Sequence, residues 1–457
     1  MQPLTLLIAA VGSVLILLGK PVTVLVTYIG ILVWYPTYLT VQLGPLNFSA
    51  RRILILVILV KIFLGQGLSA KFKFLLVDKF VLAYAGLALA AGVTTTEFGK
   101  VTAYWGGNVF MDEVLPYFAA RILIAKREDY LNCLRMLLLI SIPLAVVSIL
   151  QCVTGYNPFG FFQQYNAFRA ESRGYIPTPR RGFYRANLTF GVSIMLGLYF
   201  SIVCGCCVGL VRYIKREKRL LYTGLGVVGL GVLSSMSSGP WFMAAILAGI
   251  LLLYKQRNYW KLFVTMLIGG IVFIEILSNS SWYEALSRFT FDSANAWYRT
   301  ALIRRVFSGG MGGRWLTGYG LRDPGWAIGY VEHTDIVNHY IAVLVWWGLA
   351  GLVPFCGILA CAFIRLREAF VAARTGADRW LIWTLMSTLT ALLILFMSAS
   401  LYAQTLTMFF ILLAFCASAP AWIKGSGSAI GLTRSRDDRF VVVAGPANGE
   451  QRLRQAL

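Results

Sequence analysis

Thirteen apolar runs follow one another along this chain, at about 4–19, 22–43, 52–66, 79–94, 104–125, 131–154, 186–212, 220–236, 239–254, 259–278, 338–364, 380–399 and 401–422. A helix that crosses a bilayer needs about 20 such residues. The first three runs are ambiguous, so the expected count is twelve or thirteen spans, and the side of the N-terminus stays open. Of the 457 residues, 58% are hydrophobic and 13% charged, whereas a soluble domain carries about a quarter charged. A single buried core stops growing at roughly 250–300 residues, so the excess apolar surface needs lipid as its solvent. A soluble enzyme, a disordered chain and a disulfide-rich secreted domain are excluded. The expected fold is all-α and polytopic, with a transmembrane domain over 1–423 and a polar, Arg-rich tail over 424–457, read as cytoplasmic and mobile.

Short loops rich in Lys and Arg mark the cytoplasmic side. They are Lys71–Lys79, Lys126–Asp129, Lys215–Arg219, Lys255–Lys261 and Arg365–Arg379. Alternation then places two long loops outside, at about 155–185 and 279–337. Loops of this length are uncommon and usually functional. Met1–Gly19 has no basic n-region and further apolar runs follow, so no cleavable signal is expected. The net charge of +22 suits nucleic acid in general, but here the basic residues are scattered between apolar runs. Anchoring at membrane lipids and an anionic substrate are the better readings, with no nucleic acid. The eight cysteines all lie in or beside apolar segments and read as small packing residues.

Both outer loops break the positive-inside rule, and neither contains lysine. The first carries Arg169, Arg173, Arg180, Arg181 and Arg185; the second carries Arg288, Arg299, Arg304, Arg305, Arg314 and Arg322. Plain surface charge would use Lys as readily. Arg adds a planar fork that grips phosphate oxygens in pairs and tolerates partial burial. The alternative is a solvated, salt-bridged loop, given Glu284, Asp292, Asp323, Glu332 and Asp335 nearby. The chain's two histidines, His333 and His339, share the stretch Glu332–Tyr340 at the end of the second loop, with Asp335 and Asn338. Neutral imidazole accepts a proton near pH 7, so His339, His333, Asp335 and Glu332 are the candidate bases. No i, i+4 spacing of ligands supports a metal.

Several pieces in order resemble the O-antigen ligase/polymerase superfamily. Val337–Gly351 is similar to its His-Asn pair, apolar helix and Gly-x-x-Gly. Trp297-Tyr-Arg299 through Arg304-Arg305, followed by Leu316-Thr-Gly-Tyr-Gly-Leu321, resembles the Tyr-Arg…Gly-x-Gly run of its large periplasmic loop. Arg180-Arg-Gly-Phe-Tyr-Arg-Ala-Asn187 and Ser237-Ser-Gly-Pro-Trp241 resemble two further pieces. Arg180 to Gly191 leaves a gap of ten residues and Arg304 to Gly320 a gap of fifteen, both as in Wzy-type polymerases. The chain departs from the pattern twice: Val337 stands where the ligase has its essential His, and Ser238 where the family has Arg.

The resemblance implies an all-helical, GT-C-like glycosyltransferase of the bacterial inner membrane, with its site facing the periplasm. It implies a polyprenyl-pyrophosphate-linked oligosaccharide donor, a glycan or lipid-linked glycan acceptor and polysaccharide assembly partners. The donor carries its own activation, so no cofactor and no metal are expected. Arg299 and Arg304 lead the candidates for the pyrophosphate clamp, with Arg305, Arg180, Arg181 and Arg185 behind them. Asn338 and Tyr340 flank His339 at the helix start, where the family places its reactive His. On that ground His339 is the leading candidate for the base. A shift of two residues turns a helical side chain by about 200°, so His339 would point away unless the helix begins later; His333 and Asp335 escape that objection, and Glu332 is the weaker candidate. The missing His favours a polymerase over a ligase.

Aromatic residues form 14% of the chain, and many fall in the outer loops, including Phe161, Phe162, Tyr165, Tyr175, Trp282, Trp297, Trp315 and Trp326. They serve sugar stacking and an interfacial belt equally well. Lys61, Asp112, Glu113, Arg121 and Glu275 fall in or near apolar runs, which is the basis of a competing transporter reading. For Asp112 and Glu113, Arg121 is the expected partner if they do not lie near the interface. A non-catalytic assembly subunit is the remaining alternative.

Overall fold

The computed structural model describes residues 2–43, 46–65, 72–165, 179–214, 216–259, 265, 293–326 and 334–425. The apolar runs within that range become helices. In chain order they are α1 (Gln2–Leu18), α2 (Pro21–Trp34), α3 (Ala50–Phe63), α4 (Leu76–Thr95), α5 (Phe98–Tyr104), α6 (Leu115–Leu123) and α7 (Arg127–Thr154). There follow α8 (Ser193–Cys207), α9 (Lys218–Ser234), α10 (Ser238–Leu252), α11 (Ser293–Arg305), α12 (His339–Ala372), α13 (Gly376–Leu395) and α14 (Ala403–Gly425). Among the described residues, seven helices are long and apolar enough to cross a membrane, and α1 and α2 are shorter apolar ones. This is compatible with a multi-pass membrane protein. The expected run at 259–278, Glu275 and the tail after Gly425 lie outside the described residues.

α7 shows how such a helix is read. Its first turn holds Glu128 and Asp129, suited to the positive end of the helix dipole, and Asp129 accepts from the Lys126 backbone N–H at 3.2 Å. It stops at Gly155, whose φ of 76° only glycine adopts freely. One face is buried through Leu134, Leu138, Ser141, Ala145 and Gln151, while Leu139, Val146, Leu150 and Val153 on the other face are exposed. A helix apolar on both faces suits a lipid surround.

Two runs differ from expectation. The run at 22–43 stays helical only to Trp34; Thr40–Leu43 is a strand, β1, paired antiparallel with β2 (Leu46–Ser49). The run at 186–212 becomes helical only at Ser193, because its first residues give their hydrogen bonds to other elements, as described below. The basic stretch Arg365–Arg379 is also less of a loop than expected, since α12 continues to Ala372.

The charges in the bundle tie helices together. Arg121 does not reach Asp112; it forms a paired contact with Asp78 at 2.9 and 3.1 Å, which Tyr117 completes with a 2.6 Å hydrogen bond. Asp112 instead takes Arg51 and Arg52, each at 2.7 Å. The Lys61 ammonium donates to the carbonyls of Ile16, Leu17 and Gly19 at 2.7–2.8 Å, capping the negative end of α1. At its other end α1 bonds Thr5 to Tyr35 at 2.8 Å, and Tyr35 packs on Phe162. α1 therefore starts at the end of the bundle that carries the first long loop.

Candidate functional site

The first loop returns to the bundle through a small hairpin, β3 (Pro179–Arg180) with β4 (Phe183–Tyr184). Its turn is Arg181-Gly182, at φ of 52° and 85°. Both values are positive, as in a type I′ hairpin turn. The chain beyond is locked in place. Gln151 of α7 accepts from the Asn187 and Leu188 N–H groups at 3.0 Å each and donates to the Asn187 side chain. The Ala186 N–H donates to Ser234, and Gln404 of α14 donates to the Thr189 carbonyl. Arg185 is thereby aimed inward, where its guanidinium donates to Ser237 at 2.9 Å. Ser237 opens the Ser-Ser-Gly-Pro-Trp stretch at the N-cap of α10 and also meets Ser193 at 3.2 Å.

The second loop is built onto a break in α12. Gly348 has φ 62° and ψ −161°, so α12 is two helical segments meeting at that residue. A break leaves carbonyls of the first segment and N–H groups of the second without intrahelical partners. The loop supplies them. The N–H groups of Tyr319 and Gly320 donate to the Val345 and Trp346 carbonyls at 2.6 and 2.9 Å; the Leu349 and Ala350 N–H groups donate to Trp315 and Leu316 at 2.7 and 3.1 Å. Gly318 and Gly320 also have positive φ, 70° and 63°, and the backbones approach so closely that a Cβ on Gly318 would sit 2.6 Å from the Val345 oxygen. The Gly-x-Gly run and the first Gly of Gly-x-x-Gly are thus the two halves of one backbone joint.

Between these loops lies a cavity of about 570 Å³, within the usual range for small-molecule sites. The first loop contributes Arg185; α8 begins in the wall with Ser193; α11 contributes Arg299; the approach to α12 contributes Thr334 to Val337; Trp346 adds an aromatic wall; and Ser398 to Tyr402 close the side. Burial lowers the pKa of the Arg299 guanidinium from its ordinary value, yet an arginine stays charged. Burial likewise pushes the Asp335 carboxyl up. Asp335 is reached by water, because it faces a concavity, but protein surrounds it on the other sides. Its backbone N–H is held by the Tyr298 hydroxyl at 2.9 Å, next in sequence to Arg299. The Tyr402 phenol is pushed up by burial and then by the Asp335 carboxylate, with Arg185 opposing, so these three groups share one field.

Backbone strain gathers here too. Among the described residues, the non-glycine ones with positive φ are Arg181, Leu188, Met236 and Ala403. They stand four and three residues from Arg185, beside Ser237 and beside Tyr402. Such strain persists where surrounding structure over-determines it, commonly at functional sites.

The sequence candidates separate on this geometry. Arg185, Arg299 and Asp335 are brought together on the cavity wall. Arg180 lies half-buried in β3 and Arg181 exposed at the hairpin tip; Arg304 and Arg305 are exposed on the last turn of α11. None of those four lines the cavity. His339 is buried one layer behind it, against Phe396 and Phe355. Its Nδ1 accepts from the Leu401 N–H at 3.2 Å and lies 3.3 Å from the Ser400 hydroxyl, and both of those residues line the cavity. Asn338 is the N-cap, accepting from Ile341 and donating to Met397; Tyr340 donates to Leu393. Glu332 and His333 lie outside the described residues. Tyr402 on the cavity wall and Ser237, which holds the Arg185 guanidinium from behind, are the polar groups that sequence reasoning missed. Tyr402 is hidden inside an apolar run, whereas Ser237 stood in a noted stretch whose contact with Arg185 only the fold reveals.

Chemically, two guanidinium groups, a carboxylate and a phenol face one concavity with apolar walls. That set can hold a group bearing phosphate charge and accept a proton from a hydroxyl beside it. Comparison of the chain with family models, curated proteins and solved structures gives no match.

Proposed function

We propose that this protein is a metal-independent membrane glycosyltransferase that polymerises polyprenyl-pyrophosphate-linked glycan repeats into a surface polysaccharide, at the periplasmic face of a bacterial inner membrane. The observation that carries the reading is the meeting of Arg185, Arg299 and Asp335 on one cavity. They come from the two Arg-only loops and the approach to α12. In this reading Arg185 and Arg299 hold the donor pyrophosphate. Asp335 takes the proton of the acceptor hydroxyl as its oxygen bonds to the anomeric carbon. The bond from that carbon to the pyrophosphate oxygen breaks, and the leaving charge stays with the guanidinium groups, whose pairing is strengthened by low dielectric. His339 acts through Ser400 and Leu401 as a positioning residue. The transporter reading rests on charges in apolar runs, and Lys61, Asp112 and Arg121 are each bound to a helix end or a counter-charge.

The test is polymer formation from purified lipid-linked repeats in proteoliposomes. Asp335→Asn is expected to lower turnover by roughly 10²–10⁴ with donor binding retained, and His339→Ala by less. Near-normal turnover in Asp335→Asn removes it as the base. Absence of polymer with any lipid-linked donor, alongside transfer to a lipid A core, converts the reading to a ligase.

A further inference from the structure

At the start of α3, far along the chain from the cavity residues, a second polar cluster has a surplus of positive charge. Arg51 and Arg52 share one carboxylate, Asp112, with both contacts to Oδ2 at 2.7 Å. Arg52 is further satisfied by the Asn47 carbonyl at 2.9 Å and the Asn108 side chain at 3.0 Å, and Gly107 leaves the room its guanidinium occupies. Glu113 does not balance the pair: it turns toward Tyr84, and its electrostatic neighbours are Asp112 and Tyr84 rather than either arginine. Two guanidinium groups thus face one carboxylate in a buried setting. An uncompensated buried charge costs several kcal/mol.

Three residues of α2 and the start of α3 carry buried hydrogen-bond donors with no partner among the described residues. Arg51 is 6% exposed, and its Nε and Nη1 are both buried without a partner. Ser49, the N-cap residue of α3, is 2% exposed; its hydroxyl has no partner and does not cap the helix. The Tyr28 hydroxyl is fully buried and without a partner, and its charged neighbours are Asp112, Arg51 and Arg52. Guanidinium N–H groups only donate, and both hydroxyls are free to donate. Nε–H and Nη1–H leave the guanidinium in different directions, so one of the two can join the Ser49 and Tyr28 hydroxyls at a single acceptor; a helix N-terminus whose dipole favours negative charge and a surplus positive charge call for the same complement. A water molecule would bring two protons of its own into a site already rich in them. A small acceptor-only anion fits the chemistry.

We propose that Tyr28 of α2, with Ser49 and Arg51 at the start of α3, binds a small monovalent anion of the halide class, chloride in ordinary media, which completes the Arg51–Asp112–Arg52 cluster and holds α2, α3 and the ten-residue π-helix Trp105–Val114 together. This site is independent of the proposed catalytic reading.

The full-length protein in nanodiscs tests it, by thermal unfolding in sodium chloride or bromide against sodium gluconate at equal ionic strength. Bound halide stabilises the native state by mass action, so the midpoint should rise with halide and saturate. Tyr28→Phe removes one hydroxyl while keeping the ring, and should weaken halide binding roughly ten-fold; Ser49→Ala should do likewise. Arg51→Gln should abolish the response. Should Arg51→Gln fail to fold, the other two variants and the bromide anomalous signal of the wild-type protein decide the matter. Equal midpoints in halide and gluconate for the wild type, an unchanged halide response in both hydroxyl variants, or bromide density absent from this cluster would each overturn the proposal.

Discussion

Substituting Gly318 by Ala attacks the joint between the second loop and α12 without touching a charged group. Gly318 has φ +70°, a conformation that costs an L-residue roughly 1–2 kcal/mol. The new Cβ would also lie 2.6 Å from the Val345 oxygen, 2.7 Å from the Gly348 nitrogen and 2.8 Å from the Trp346 carbonyl carbon. All three are backbone atoms, so no flexible side chain can move aside. The way out is to undock the loop, which breaks the four hydrogen bonds linking Tyr319, Gly320, Leu349 and Ala350 to the opposite backbone. At about 0.5–1.5 kcal/mol net for each, the expected loss is about 2–6 kcal/mol. Amide hydrogen exchange reads this directly, since a ten-fold loss of protection corresponds to about 1.4 kcal/mol. Protection at those four amides should fall by a factor of roughly 30 or more, while α7 is unchanged. A Gly318→Ala protein with wild-type exchange there would refute the argument that these glycines exist for backbone approach.

Three further outcomes follow from the cavity. Arg299→Lys keeps the charge but loses the planar fork, and should lose at least ten-fold in activity at normal expression; full activity in both Arg299→Lys and Arg299→Ala removes it from the clamp. Burial raises the Asp335 pKa, so a base at this position is protonated, and idle, to a higher pH than an ordinary carboxylate. The acid limb of kcat/KM should therefore lie above about 4 and disappear in Asp335→Asn; its persistence there would assign the limb to another group. Cysteines placed at Phe161 and Phe307, both exposed, should react with an impermeant reagent in intact cells, and labelling that needs permeabilised membranes would turn the proposed topology over.

Hydropathy makes most of the helices legible; basic residues mark the starts of α7 and α9 but not the end of α12, which runs through Arg365 and Arg367 to Ala372. Hydropathy could not reveal the break in α12. Gly348 sits inside an apolar run, and a positive φ leaves no trace in residue hydrophobicity. Nor could it show that Thr40–Leu43 leaves the helix to pair with Leu46–Ser49, since strand and helix are equally apolar there. Asp112 and Glu113 are nearer to Arg121 along the chain, but Asp78 on α4, 43 residues away, is the acid that reaches it through the fold. His339 was the hardest to read. Histidine's chemistry pointed to catalysis, but Asn338 is an N-cap, which makes His339 the first helical residue and sets its ring among Phe355 and Phe396. The clue in the sequence was the Asn, a residue that favours the N-cap position.

The break in α12 bears on the site itself. Irregular backbone within a spanning helix is tolerated only where other protein groups satisfy it, so residues 315–320 are as much a part of the bundle as the helices are. The same helix segment, before Gly348, also packs against the arginine-bearing helix: Leu302 and Val306 share an apolar cluster with Ile341, Leu344 and Val345. Trp346, next along that segment, forms the cavity wall, and Tyr298 beside Arg299 holds the backbone of Asp335. Arg299 and Asp335 are therefore referenced to one rigid piece of scaffold, although they lie 36 residues apart in a loop. A clamp and a base must keep their separation to within a fraction of an ångström to act on one substrate. A free loop could not hold them so. The backbone joint at Gly318, Gly320 and Gly348 supplies that rigidity, which is why its glycines belong to the proposed active site although none of them can touch a proton.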